Sequence, residues 1–230
     1  MPHYLRYAIY YCPAQNTALA AFGANWLGWD IHQGTFRDHP AYAGLPKPLT
    51  DLTKRPQKYG FHGTLKAPFV LAEGVGETDV IDALEAFSAK TAQINLGRLE
   101  VAQLGTFIAF RLVKPSGDLQ NLASKIVRHF DPFRAALDPA QREKRIATGL
   151  SPAQIALLDE WGYPYVFNEF RFHMTLSGAM NADALWACKQ VLDKEIAEIL
   201  REPMILDRLT LCGQRADGYF EVVNEAALSG

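Results

Sequence analysis

The chain has 230 residues, is 49% hydrophobic, and carries 23 Lys and Arg against 25 Asp and Glu, a formal net charge of −2. A chain of this size buries about 70–75% of its unfolded surface, so its stability requires neither disulfides nor a structural metal. The near-neutral charge, without a long Lys/Arg block, excludes a duplex-DNA binder that works by neutralising phosphates. Cys12, Cys188 and Cys212 lack Cys-x-x-Cys spacing and predict buried free thiols in a reducing compartment. Residues 1–12 alternate as a strand and contain no signal-peptide apolar core, and no run reaches membrane-spanning length, so the expected location is the cytoplasm and no membrane partner is expected.

Within residues 15–31, Leu19, Phe22, Trp26 and Leu27 recur at helical spacing, and 33–56 is a Pro/Gly-interrupted loop. A strand near 60–69 follows, then a helix over 79–92 marked by Val80, Leu84 and Phe87, and strands over 94–104 and 106–113. Residues 119–137 read as a helix, 139–148 as a basic connection, and 151–161 as a short helix with Ser151 as N-cap and Pro152 in its first turn. A second strand near 170–177 leads to a helix over 183–200, with Leu185, Cys188, Leu192 and Ile196 on its apolar side, and to strands over 205–213 and 219–223. The order strand, helix, strand, strand therefore occurs twice, with Arg98-Leu99 answering Arg208-Leu209, as in a duplicated unit.

Both copies open on one pattern: Phe61-His62-Gly63-Thr64-Leu65 and Phe172-His173-Met174-Thr175-Leu176. Period-2 alternation places His62, Thr64 and Lys66 on one strand face and Phe61, Leu65 and Phe69 on the other, with Gly63 leaving a flat spot. In the second copy Arg171, His173, Thr175 and Ser177 share the polar face. Histidine gives or takes a proton near neutral pH, so two of them can divide the acid and base roles of one reaction. A hydroxyl and a cation in the same row suit a phosphate. Lys66 and Arg171 are thus candidate substrate contacts, together with Tyr59, Tyr163 and Arg145. Arg134, Arg142, Lys144 and Tyr165 also lie in the segment between the halves, while His3, His32, His39 and His129 have no partner pattern.

The paired strings resemble the 2H phosphoesterase superfamily, whose hallmark is two His-x-Thr-hydrophobic motifs on the strands of a duplicated α+β fold. The segments Lys58-Tyr59-Gly60-Phe61-His62-Gly63-Thr64-Leu65-Lys66-Ala67-Pro68-Phe69 and Trp161-Gly162-Tyr163-Pro164-Tyr165, together with the second string, are similar to a branch associated with bacterial phosphonate metabolism. The resemblance implies two pseudo-symmetric lobes, each an antiparallel sheet flanked by helices, around a central cleft. They would form one bilobal domain over residues 1–230, with a helical insertion over about 117–165. It also implies a metal-independent phosphodiesterase that opens a cyclic phosphate on a ribose-type sugar or nucleotide. His62 and His173 would be acid and base in an order the near-symmetry leaves open, and Thr64 and Thr175 would hold the non-bridging oxygens. No cofactor is expected, the expected ligand is a small phosphorylated sugar, a nucleotide or an RNA end, and the expected state is a monomer.

Two other readings stand beside this one. A binding module would keep the cleft and lose the chemistry. A metal hydrolase would use the same histidines, although there is no His-x-His or His-x-x-x-His spacing and no carboxylate cluster beside either motif.

Overall fold

In the computed structural model, which describes residues 4–230, β1 (Tyr7–Tyr11) runs inside a seven-stranded antiparallel sheet. The first three residues of the expected N-terminal strand lie outside the described residues. Alternation along β1 divides two cores: Tyr7, Ile9 and Tyr11 enter the main cluster, while Ala8, Tyr10 and Cys12 enter a smaller one with Trp29 and Phe220. Helix α1 (Ala18–Leu27) is shorter than its apolar spacing suggested, because Thr17 caps it by accepting the Ala20 N–H. The long loop contains a small hairpin, β2 (Trp29–Asp30) with β3 (Thr35–Phe36), and a short helix, α2 (Leu49–Thr53).

The first motif strand is β4 (Gly63–Phe69), followed by α3 (Glu77–Ser88), β5 (Ile94–Gly97), β6 (Leu99–Leu104) and β7 (Phe107–Leu112). Between the halves lie α4 (Gly117–His129), α5 (Pro139–Ile146) and α6 (Pro152–Trp161). The segment read as a basic connection is helix α5, because Asp138 accepts the Gln141 N–H and Pro139 occupies the first turn. Ser151 and Gln154 cap α6 reciprocally. The second half comprises β8 (Met174–Thr175), α7 (Ala182–Glu195), β9 (Met204–Leu206), β10 (Arg208–Gln214) and β11 (Phe220–Ala227).

The duplication thus repeats a strand, a helix and three strands, in an α+β fold whose antiparallel strands are flanked by helices. The strand order is β11-β10-β1-β4-β8-β7-β6. Hairpin β6–β7 of the first half pairs with β8 of the second, while hairpin β10–β11 of the second reaches β1 on the first half's side, and β5 pairs with β9. The halves meet where Gly63 lies opposite Met174. A Cβ on Gly63 would come 2.4 Å from the Phe172 ring, so the flat spot in one motif receives the phenylalanine of the other. The main core lies on one sheet face under α3, α4 and α7, and includes Leu65, Val80, Leu122, Leu192 and Leu211. Among the described residues no helix is long and apolar enough to cross a membrane.

Two departures from strict alternation shape the site. Tyr10 pairs with Thr64 and Ile9 with Lys66, so a β-bulge at Leu65 turns Lys66 to the core face. On the other side, β8 is only two residues long. Before it Phe167–Glu169 form a 3₁₀ turn, and after it the Leu176 and Ser177 amides both donate to the Ile108 carbonyl, so the ladder does not extend over the expected 170–177.

Candidate active site

Each motif histidine is anchored by the carbonyl two residues before it. His62 Nδ1 lies 3.0 Å from the Gly60 oxygen and His173 Nδ1 lies 2.8 Å from the Arg171 oxygen. A carbonyl only accepts, so both Nδ1 atoms carry the proton, and the lone pair of each neutral ring is on Nε2. The first anchor depends on Gly60, whose φ of 69° and close approach to Ile31 disfavour any side chain. The Thr64 hydroxyl donates to His62 Nε2 at 3.0 Å.

His62 is half-buried, and the Tyr10 ring stacks on it at 3.7 Å between centroids and 22° between planes. Burial pushes the His62 imidazole down to about 4; its bond to the Gly60 carbonyl opposes that shift and the neighbouring His173 adds to it. At neutral pH His62 is therefore an unprotonated base. His173 is partly exposed, with its ring 5.8 Å from Phe107.

His62, Thr64 and Thr175 open onto a cleft of ≈ 430 Å³. Tyr59, Tyr163 and Arg145, all singled out from sequence, line it as well. Arg145 comes from α5, with its guanidinium carbon 5.2 Å above the Tyr163 ring, and burial pushes the Tyr163 phenol up. Phe107 lies on the wall with its ring 5.8 Å from His173, which stands behind it and is not itself among the lining residues, whereas its motif partner Thr175 is. Among the described residues no carboxylate lines it, whereas Arg6 and Arg55 join Arg145 there. Among the described residues no group of three His, Cys, Asp or Glu is placed to hold a metal ion.

Lys66 and Arg171 are corrections to the alternation argument. Lys66 is 4% exposed on the core face, where Nζ donates to the Val127 carbonyl at 3.2 Å and meets Asp131 at 3.5 Å. Burial brings its amine down to about 8, against the pull of Asp131. The Arg171 side chain folds back onto the Asn168 and Phe170 carbonyls, both at 2.7 Å, because residue 171 precedes the short β8 and no ladder fixes its face. Its contribution to the site is the main-chain oxygen that holds His173. Arg134 is bound to Asp131 and Arg142 to Asp159, so neither faces the cleft; Lys144 and Tyr165 are exposed outside it.

Sequence reasoning missed Tyr10, Arg6, Arg55 and Phe107. Tyr10 was legible in principle, since Ala8, Tyr10 and Cys12 alternate on one side of β1 and Arg6 continues that row. Arg55 and Phe107 belong to no pattern and reach the site only through the fold.

The chain belongs to the DUF1045 family, described as proteins of unknown function, and matches it over residues 64–221. It is 34% identical over 218 residues to the ribose 1,5-bisphosphate phosphokinase PhnN of Janthinobacterium sp. (strain Marseille), an alignment covering 93% of this chain and 48% of that protein. It is 33% identical over 177 residues to the protein of the same name from Laribacter hongkongensis (strain HLHK9), covering 77% of this chain and 41% of that one. The chain therefore spans about half the length of the curated relatives it matches. Among solved structures it is similar to TT0787 of Thermus thermophilus, with 12% identity, a TM-score of 0.47 and 98% of both chains covered. It is also similar to E. coli LigT in complex with NADP+, with 15% identity, a TM-score of 0.44 and 99% of both chains covered.

Proposed function

We propose that the cleft opens a cyclic phosphodiester on a ribose-type sugar or nucleotide, without a metal, with His62 as general base and His173 as general acid. The observation that carries this reading is the matched anchoring of the two histidines, which fixes both tautomers and leaves both Nε2 atoms for proton transfer. His62 Nε2 takes a proton from water as the water oxygen forms a bond to phosphorus. The ring P–O bond breaks on the opposite side, and the departing sugar oxygen receives the proton of His173 Nε2. The product is a phosphate monoester with a free neighbouring hydroxyl, and the two histidines end with their protonation states exchanged.

Each proton transfer contributes about 10²–10⁴ to the rate. Thr64 and Thr175 donate to the non-bridging oxygens as their charge grows, at about 10²–10³ per donor. The Thr64 hydroxyl, which now rests on His62, shifts to the phosphate when substrate enters. The cleft, lined by Arg6, Arg55 and Arg145, favours an anion.

The curated relatives are named for a kinase acting on a ribose bisphosphate. This chain has no phosphate loop of the pattern G-x-x-x-x-G-K followed by Ser or Thr, so the part of that name relevant here is the phosphorylated ribose. A place in phosphonate metabolism, as the sequence resemblance implies, fits such a substrate.

Phosphorus NMR of EDTA-treated protein with a panel of cyclic ribose phosphates tests the reading. Ring opening by the wild type, absent from the His62→Ala/His173→Ala variant, is the expected result. Shifted ligand resonances with no product would replace it by a binding module, and turnover that requires added Zn²⁺ or Mn²⁺ would replace it by a metal hydrolase.

A further inference from the structure

We propose that the Ala67–Pro68 end of the cleft is a second anion site, formed by Arg6 and Arg145, so that the substrate carries a phosphate monoester besides its cyclic phosphate. This rests on the reading above and narrows its substrate class.

The register of β1 on β4 places the two ends. Tyr10 lies opposite Thr64 and marks the reacting centre, whereas Tyr7 lies opposite Phe69. Arg6, the neighbour of Tyr7, therefore enters the cleft beyond Ala67 and Pro68, which also line it. Ala67 is three residues past Thr64, about 10 Å along a strand, a separation that an arginine side chain spans in part. Arg145 comes to the same end from the opposite wall, because the Tyr163 ring beneath it shares a small cavity with Ala67 and Pro68. Arg55 lies at the other end, where its Cβ approaches Gly178 and the Gly178 amide donates to the Leu52 carbonyl.

The neighbouring arginines show which charges remain unbalanced. Arg134 and Arg142, from the same stretch between the halves, are held by Asp131 and Asp159. Arg6 and Arg145 are half-buried, yet neither has an acidic partner among the described residues. Arg6 donates to Gln214 Oε1 at 2.7 Å and lies 5.9 Å from the Phe220 ring centre, and the Arg145 guanidinium lies over the Tyr163 ring. Two half-buried guanidiniums on one cleft, neither facing a carboxylate, leave their charge for an anion that enters it. The planar fork of arginine binds phosphate oxygens in pairs. The reacting phosphate already has the histidine and threonine groups, so this second positive end matches a different phosphate on the same molecule.

Steady-state kinetics with ribose 1,2-cyclic phosphate with and without a 5-phosphate, and adenosine 2′,3′-cyclic phosphate with and without a 5′-phosphate, tests the site. The expected result is a kcat/KM at least about 100-fold higher for the phosphorylated member of one pair, with Arg6→Ala and Arg145→Ala each lowering that ratio about 10–100-fold. Arg142→Ala, which removes a cation paired outside the cleft, leaves the ratio intact. The preferred pair identifies a sugar phosphate or a nucleotide as the source of the second phosphate. Equal kcat/KM within both pairs, or a ratio untouched by the Arg6 and Arg145 substitutions, overturns the second site while leaving the hydrolase reading standing. If nothing is turned over, titration calorimetry with the same four compounds separates the two claims. Arginine-dependent tighter binding of the phosphorylated members keeps the site and ends the hydrolase reading, and its absence ends both.

Discussion

His62 leads into a seven-residue strand, with Tyr10 stacked on its ring and Thr64 bonded to its Nε2, whereas His173 stands before a two-residue strand, partly exposed beside Phe107. Both rings are held through Nδ1 by a carbonyl two residues back. What the two copies share is orientation; what separates them is their neighbours, with the Tyr10 ring and the Thr64 hydroxyl covering His62 and only the more distant Phe107 ring beside His173. Orientation decides which nitrogen is left to act, and burial keeps that nitrogen of His62 unprotonated at neutral pH. Two copies of one motif can divide unlike roles only when their environments diverge, and here the Tyr10 ring, carried by another strand, covers one copy alone.

The sharpest way to break that comparison is to change the leaving group. With a sugar alkoxide departing, His62→Ala and His173→Ala each lower kcat by about 10²–10⁴. With an activated aryl ester, whose oxygen departs without a proton, the His173→Ala loss largely disappears and the His62→Ala loss persists. The reverse pattern would exchange the two roles. Next in size, Thr64→Val and Thr175→Val each reduce kcat by about 10²–10³, mainly without raising KM, as single-turnover rates would show.

The covering of His62 also has a thermodynamic signature. The folded-state value of about 4 for His62 lies below the 6.5 of an unperturbed histidine, so between those values the unfolded chain binds more protons than the native one. Stability contributed by neutral His62 is complete above pH 6.5 and is lost as the pH falls towards 4. Denaturant titrations across that range should show the loss, and His62→Gln should flatten it; an unchanged slope in the variant would place the titrating group elsewhere. The smallest effect on function concerns Lys66. Lys66→Met should leave kcat/KM within about twofold, the scale on which groups outside the site act. Because burial holds the Lys66 amine at about 8 rather than 10.5, native stability rises between those pH values, and the substitution should remove that rise. A large drop in kcat/KM would return Lys66 to the cleft.

Much of this molecule was legible because its signals are local. The two strings stand at matched places in a repeated order of elements, and Ser151 as N-cap with Pro152 in the first turn marked the start of α6. Lys66 and Arg171 were misplaced for a common reason: alternation assumes an unbroken ladder. A bulge at Leu65 shifts the phase for one, and the brevity of β8 removes the ladder for the other. Arg55 and Phe107 were invisible because the chain segments that carry them reach the cleft through tertiary packing. Asp138 and Pro139 were a readable helix start that the basic run 142–145 obscured.

The crossing of the two hairpins, with β6–β7 set beside β8 and β10–β11 reaching the first half, makes the protein behave as a tethered dimer of its own halves. The connection between the copies keeps each at a high effective concentration for the other, so the seam between β4 and β8 forms without a second-order association step. A fragment ending after β7 would leave open the strand edges of β4 and β7 that β8 covers in the intact chain, edges of the kind that recruit other chains. Because the pairings that complete the sheet are distant in sequence, with Gly63 opposite Met174 and Tyr7 opposite Gly213, its assembly belongs to the slower, non-local class of folding reactions.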